Sequence, residues 1–373
     1  MQRPVGGTVA AARVHHLPRH EIEDRDDEHA RAVKIFVYEH ITGGGLIDAP
    51  LPPRLRAEGE LMLRSLAADL AAVADIRVLT MCDCRIDLAG VGAERYVVHD
   101  PAEWRRGFAE LVATTDAVWP IAPETGGALE TLSRTALAAE RILLNSRPDA
   151  VQLTASKHET AAVLAAAHIA AIPTFRPGDV RPTIQGAWVV KPDDGCGCEE
   201  TRLCDDVDAA LLWIEAQDEP ERFVLQPYVP GDAASLCVLA RDGAAWLLSV
   251  NRQRIAVRDD CFVYLGSVVN GFADENGRYG RLAERVARAV PGLWGYFGID
   301  LVLGEHGPIV VEINPRLTTS YAGLGDALDC NPAALVLDLL DRDRPIAPPP
   351  FRPKKVDVDL MSLAGWQLSH ESS

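Results

Sequence analysis

The sequence predicts an α/β protein in two parts, a parallel-sheet domain over 33–148 and a second region over 149–345. Three observations carry that expectation. Short β-branched and aromatic runs alternate with helical stretches through the first part, as crossover-connected parallel strands require. The second part has strand runs set off by glycine and proline. Finally, 373 residues with 48% hydrophobic and 24% charged side chains supply more than one core without disulfide or metal staples.

Residues 1–32 read as a solvated arm. From His15 to Arg31 nearly every side chain is polar, too little apolar surface to offset the entropy of ordering. A metal site made of His15, His16, His20 and His29 is the less economical reading of that segment. Order begins with the strand Val33–Tyr38, which breaks at Thr42-Gly43-Gly44-Gly45. Leu55, Leu61, Leu66, Leu70 and Val73 then recur at helical spacing. Further strands are expected at Ile76–Thr80, Arg95–His99, Asp116–Ile121 and Arg141–Leu144, with helices at Ala102–Ala113 and Gly126–Ala139. Loops leaving the carboxyl ends of such strands carry ligand contacts, here Glu39–Gly45 and Ala122–Gly127. The triple glycine is no dinucleotide fingerprint, and tight-turn chemistry explains it equally well.

Charge narrows the partners. Lys plus Arg total 37 against 54 for Asp plus Glu, a net charge of −17, which argues against nucleic acid or an anionic membrane as the main partner. The eight cysteines, at 82, 84, 196, 198, 204, 237, 261 and 330, form no regular framework and read as reduced thiols. With no apolar run of membrane-spanning length and no signal-peptide order, a cytoplasmic protein is expected.

The second region holds the chemistry. Thr154-Ala155-Ser156-Lys157-His158-Glu159 opens a helix expected to run to Ala171, with Ser156 and Glu159 at capping-box spacing. Lys157 opposes the helix dipole in that first turn, so either an anionic ligand lies nearby or the lysine is simply exposed. The strand Trp188-Val189-Val190-Lys191 runs into a turn bearing Gly195, Cys196, Gly197 and Cys198. Glycines let backbone N–H groups reach phosphate oxygens while a lysine adds a point charge. Because the lysine precedes the glycines, this is not a Walker A loop. Phe223–Val229 is a further strand, ending in a hinge at Pro230 and Gly231.

Tyr296–Leu303 and Pro308–Asn314 flank the turn Gly304–Gly307. A hairpin centred on His306 sets Asp300 opposite Glu312, and Glu312 and Asn314, two apart, share a face. Three oxygen donors converging without histidine or thiol suit Mg²⁺ bridging to nucleotide phosphates. The alternative is a solvent-facing strand edge.

Together these motifs resemble the ATP-grasp superfamily of carboxylate–amine ligases, over most of 150–345 and the preceding α/β domain. The resemblance implies a pre-ATP-grasp domain followed by an ATP-grasp fold of two α+β lobes, the smaller (about 173–226) closing as a lid, and a C-terminal extension over 346–373. It implies that Lys157 and Lys191 contact ATP phosphates beside Gly195 and Gly197, and that Gln226, Pro227, Tyr228 and Val229 hold adenine. By the same carry-over Asp300, Glu312 and Asn314 bind two Mg²⁺ ions, which Mn²⁺ could replace, and Arg316 faces the reacting group. Several positions depart from the family pattern: Gln226 replaces a hinge acid, Ala233 falls where a ribose-binding acid is expected, with Asp232 beside it, and Gly298 stands where some members have arginine. Arg252, Arg254 or Arg316 would then neutralise the transition state, with Arg252 and Arg316 the foremost.

Within the superfamily the chain most resembles the tyramine–glutamate ligases of methanofuran biosynthesis, on Glu39-His40 with Gly43–Gly45, Ile121–Thr125, Gly231–Ser235 and Ser249–Gln253. That implies phosphorylation of a glutamate carboxyl, attack by a tyramine- or tyrosine-like amine, and release of ADP and phosphate. His158 and Glu124 are candidate bases for the amine. The partners implied are small molecules, and a homodimer is compatible. A ligase for another amino acid or peptide, a non-catalytic nucleotide-binding regulator, a zinc or iron–sulfur protein using Cys82, Cys84, Cys196 and Cys198, and a nicotinamide dehydrogenase are the competing readings.

Overall fold

The computed structural model describes residues 32–179, 184–346 and 354–360; the arm with its four histidines lies outside them. The first domain is a parallel sheet of β1 (Val33–Glu39), β2 (Ile76–Asp83), β3 (Glu94–Val98), β4 (Ala117–Ile121) and β5 (Ile142–Leu143), ordered β3-β2-β1-β4-β5. Its helices are α1 (Pro53–Ala71), α2 (Pro101–Thr114) and α3 (Ala128–Ala138). Strand alternation divides β1 between two cores. Ile35 and Val37 face α1, whereas Phe36 and Tyr38 face Phe108 of α2 and Leu129 of α3.

α1 also packs Met62, Leu63, Leu66 and Leu70 against the second domain, in one cluster with Tyr321, Leu324 and Val336. Leu55 and Leu61, expected on its apolar face, are half-buried. The helix expected from Gly126 begins at Ala128, because Gly126 and Gly127 take left-handed φ values of 63° and 69°.

The second domain opens with α4 (Pro148–Ala155) and α5 (Lys157–Ala166), which correct the single helix expected as far as Ala171. Ser156 is extended (φ −84°, ψ 114°) and breaks the run, while its hydroxyl accepts the Glu159 amide as the capping spacing predicts. His168, at φ 56°, leaves the helix, and Ala171 instead bridges to Val310.

The lid follows: β6 (Trp188–Pro192), β7 (Arg202–Cys204), α6 (Val207–Glu215) and β8 (Phe223–Pro227), around Trp188, Val190, Ile214 and Phe223. The main lobe is antiparallel: β9 (Asp232–Arg241), β10 (Ala244–Arg258), β11 (Cys261–Val269), β12 (Gly295–Gly304) and β13 (Gly307–Asn314). α7 (Arg278–Ala289) covers it, burying Tyr279, Leu282, Ala283 and Val286 at helical spacing. The lid strands reach this sheet through one pair, Cys261 with Arg202.

α8 (Leu324–Leu328) and α9 (Pro332–Asp338) close the core shared with α1. Past residue 345, where an extension was expected, Val356–Asp359 forms β14 and pairs with β11. No helix among the described residues is long and apolar enough to cross a membrane.

Candidate active site

The β12–β13 hairpin fixes the centre. Its turn is the two residues Glu305 and His306, since Gly304 pairs with Gly307. Continued without interruption, that register would set Asp300 opposite Val311. A bulge between Asp300 and Leu301 shifts it by one residue and restores Asp300 against Glu312. The expected pairing thus arises from a turn centred half a residue away plus a bulge.

Asp300 accepts from Asn314 Nδ2 at 3.1 Å on one oxygen and from Gln253 Nε2 at 2.9 Å on the other. Glu312 Oε2 lies 3.6 Å from Lys157 Nζ and 4.0 Å from Lys191 Nζ. Burial, then the charge of Glu312, raise the Asp300 pKa above the carboxylate range. Burial works the same way on Glu312, but Lys157 and Lys191 outweigh it and lower its pKa. Burial also pushes Lys191 down to about 8, against the pull of Glu312 and with repulsion from Lys157. Two adjacent carboxylates with an amide oxygen beside them are a donor set for a hard cation, which would relieve the repulsion that now raises Asp300.

The hairpin forms one wall of a cavity of about 460 Å³. Lys157, Lys191, Gly195, Gly197, Gln226, Tyr228, Val229, Asp232, Asp300, Glu312, Asn314 and Arg316 all line it. The loop after β6 roofs it. Lys157 Nζ donates to Gly195 O at 2.6 Å and Asp193 O at 3.2 Å. Asp193 accepts from the Ser156 hydroxyl at 2.7 Å and the His158 amide at 2.9 Å, and Asp194 from the Thr125 hydroxyl and the Gly126 amide, both at 2.9 Å. The first domain's Ala122–Gly127 loop therefore holds the lid down. Cys196 and Cys198 face the cavity, and burial pushes each thiol up to about 12, so both are neutral.

At the hinge, Gln226 is buried and donates to Thr174 Oγ1 at 2.9 Å, while the Tyr228 amide is already used by Ala187 O at 2.8 Å. Adenine would therefore be left the Tyr228 carbonyl and the Val229 backbone.

Arg316 forms a buried two-pronged pair with Glu124, both contacts 3.0 Å. Burial disfavours its charge, but Glu124 more than compensates and its pKa is raised. Glu124, considered as a base, is thus committed to a guanidinium.

Some expected residues do not join the site. Arg252 lies off the cavity, 4.4 Å over the Phe272 ring and 3.3 Å from Asp232, because strand alternation sends its neighbour Gln253 inward instead. Arg254 pairs with Asp357 and Asp359 of β14. His158 turns to Asp179 at 3.8 Å and does not line the cavity. Gly298 leaves no space for an arginine, since a Cβ there would come within 2.7 Å of Thr318 Cγ2. Among the described residues no three His, Cys, Asp or Glu side chains group closely enough to hold a metal ion between them.

The sequence reading missed Glu58 and Met62, which α1 contributes from the first domain, and Gln253, Tyr264 and Thr318–Ser320 on the facing wall. One signal was available: Gly59, a glycine inside a helix. A Cβ there would sit 2.6 Å from the Glu39 carboxylate, so α1 needs glycine to pass that close to β1.

A sheet in β3-β2-β1-β4-β5 order, a hinged antiparallel lid and an acidic hairpin facing two lysines define an ATP-grasp protein, and the chain belongs to that superfamily. Residues 154–320 match the ATP-grasp domain family and residues 76–151 the pre ATP-grasp 3 domain family. Among curated relatives, tyramine–L-glutamate ligase of Methanocaldococcus jannaschii is 31% identical over 104 residues, 28% of this chain and 32% of that protein. The ligase of the same name from Methanocaldococcus fervens is 29% identical over 137 residues, 37% of this chain and 40% of that protein. The chain thus matches well under half the length of either relative. An ATP-grasp superfamily protein from Archaeoglobus fulgidus shares the fold at a TM-score of 0.65 and 24% identity, over 82% of this chain and 88% of that one.

Proposed function

We propose that the protein is a cytoplasmic ATP-dependent carboxylate–amine ligase. It activates a carboxylate, glutamate in the first instance, as an acyl phosphate and joins it to a tyramine- or tyrosine-like amine, releasing ADP and phosphate. One observation carries this reading. Lys157 and Lys191 converge on Glu312 beside Asp300, in a cavity roofed by a glycine-bearing loop.

The roles follow from charge. Glu312 balances both ammonium groups, and loop carbonyls accept from Lys157; a triphosphate entering the cavity would supply stronger partners, and its charge would raise the depressed Lys191 pKa. Asp300, Glu312 and Asn314 would hold two Mg²⁺ ions (or Mn²⁺), which when bound neutralise phosphate charge. Attack of a carboxylate on the γ-phosphorus brings two anions together, and Lys157, Lys191 and Arg316 are the cavity's cations that offset this. The roof keeps water from the acyl phosphate until the amine arrives. Of the expected catalytic arginines, Arg316 fits this role and Arg252 does not. The curated relatives' name supplies the substrate pair, and methanofuran-type cofactor biosynthesis is the setting we assign.

Incubation with Mg·ATP, L-glutamate and tyramine should yield ADP, phosphate and a product of the mass of γ-glutamyltyramine. AMP and pyrophosphate instead would overturn the acyl-phosphate reading, and ADP formation only with another acid or amine would overturn the substrate pair.

A further inference from the structure

We infer that Glu58, on α1 of the first domain, is the residue that binds the acceptor's ammonium group and takes its proton; this rests on the ligase reading above. The attacking amine enters as an ammonium ion and must lose a proton first, and neither Glu124 nor His158 can serve, for the reasons given. Glu58 lines the cavity with a side chain only 12% exposed. Arg54, four residues earlier on the same helix, holds Oε1 at 3.2 Å and is itself tied to the Tyr264 carbonyl, which orients the carboxylate. Oε2 points at the roof, 3.8 Å from where a Cβ on Gly197 would sit, across the same cavity that Lys191 and Glu312 line.

The charged and titratable groups around it are Arg54 on its own helix, Arg316 after the hairpin, and Glu199 and Cys196 in the roof, with Tyr264 on β11. Burial raises the Glu58 pKa, and Arg54 and Arg316 only partly oppose that, which makes it a better proton acceptor than an exposed carboxylate. Glu199, whose pKa burial also raises, adds a second acidic group to a wall suited to a cation.

The step balances simply. The ammonium gives one proton to Glu58, and the freed nitrogen lone pair attacks the acyl-phosphate carbonyl carbon. The carbon–oxygen bond to phosphate breaks, the second nitrogen-bound proton leaves with the phosphate, and Glu58 returns its proton to solvent.

Hydroxylamine isolates the step, because it is unprotonated at neutral pH and traps an acyl phosphate as a hydroxamate without a base. Wild-type enzyme and Glu58→Gln are compared with Mg·ATP and glutamate, with either tyramine or hydroxylamine as acceptor. The ratio of amide to hydroxamate formation should fall about 100-fold in Glu58→Gln, the scale of a lost general base. Its tyramine rate should also rise with pH as free amine accumulates, and Glu58→Asp should recover part of the ratio. Retention of the Mg·ATP-induced rise in melting temperature shows that the variant is folded. An unchanged ratio, or a variant that loses that rise, overturns the assignment of Glu58. Absence of glutamyl hydroxamate from the wild type overturns the ligase reading itself, and the assignment falls with it.

Discussion

The β12–β13 hairpin and the loop after β6 bring charge to the same cavity, but different forces hold them. The hairpin's groups ride on backbone pairing from Gly298–Asn314 to Gly304–Gly307, with β9 bonded along the other edge of β12. The loop is held by individual contacts: Ser156 and the His158 amide on Asp193, Thr125 and the Gly126 amide on Asp194, and Lys157 on Gly195. A ladder fixes side-chain positions whether or not a ligand is present, whereas a set of single bonds, each worth about 1 kcal/mol net, can be exchanged for a ligand's. The charges of the proposed site are therefore rigid on the hairpin, where metal is proposed to bind, and exchangeable on the loop, where phosphate is.

Arg316 is the sharpest break in that contrast, because it follows the hairpin in the chain but is held by the first domain's loop through Glu124. Arg316→Ala leaves a buried carboxylate without its partner, and the expected loss is about 3–5 kcal/mol. It should appear as a lower denaturation midpoint. Replacing both partners, Arg316→Met with Glu124→Leu, should recover much of the stability but not the activity. A single variant as stable as wild type would mean the pair does not join the domains.

On the rigid side, Asp300→Asn is cleaner than Glu312→Gln, because Glu312 also balances two lysines. If Asp300 is the anionic metal ligand proposed above, its loss should cut turnover at least about 100-fold and reduce stabilisation by Mg·ATP. Apo stability should hold or rise, and pH gives the sign. The folded-state pKa of Asp300 is raised, so the native state binds the proton more tightly than the unfolded chain. Stability from this group is full below the ordinary carboxylate range and is lost as pH rises through the raised value. Asp300→Asn should remove that loss, so a wild-type melting curve that is flat between pH 4 and pH 8 would contradict the burial argument.

On the exchangeable side, Lys191→Ala removes one of the two lysines proposed to hold the triphosphate. Mg·ATP affinity should fall about tenfold by calorimetry, roughly the lower bound for a charged hydrogen bond. The melting temperature of the apo protein should stay close to wild type, because the lost ammonium is one that burial already disfavours. Unchanged affinity would assign phosphate binding to Lys157 and the loop amides alone.

The same contrast explains what could be read from the sequence. Asp300, Glu312 and Asn314 were legible because a period of two and a turn set the face, and the bulge compensated for a turn centre half a residue off. The five parallel strands were legible because β-branched runs alternate with helices. Arg252 misled, since its place two residues before Arg254 says nothing about which face of β10 looks inward, and only the pairing with β9 and β11 decides that. The Glu124–Arg316 pair, nearly two hundred residues apart, and Glu58, delivered by a helix of the other domain, are products of docking, which no local pattern encodes. The break at Ser156 was half visible: the cap was read, and the helix ending before it was not.

The smallest effect tests whether the roof is held as described. Thr125 Oγ1 donates to Asp194 O at 2.9 Å, across the gap between the first domain and the lid loop. Thr125→Val keeps the branched shape at Cβ and removes only the donor. A net hydrogen bond of this kind contributes about 0.5–1.5 kcal/mol, so the open form of the loop should become roughly two- to tenfold more populated relative to the closed one. Global stability should change little, because the Gly126 amide still reaches the Asp194 carboxylate and the hairpin ladder is untouched. Amide hydrogen exchange in residues 193–200 should therefore speed up by that factor while exchange in β12 and β13 stays as it was. Equal acceleration in both regions would mean that the loop and the hairpin open as one unit, and the contrast between an exchangeable roof and a rigid metal face would be lost.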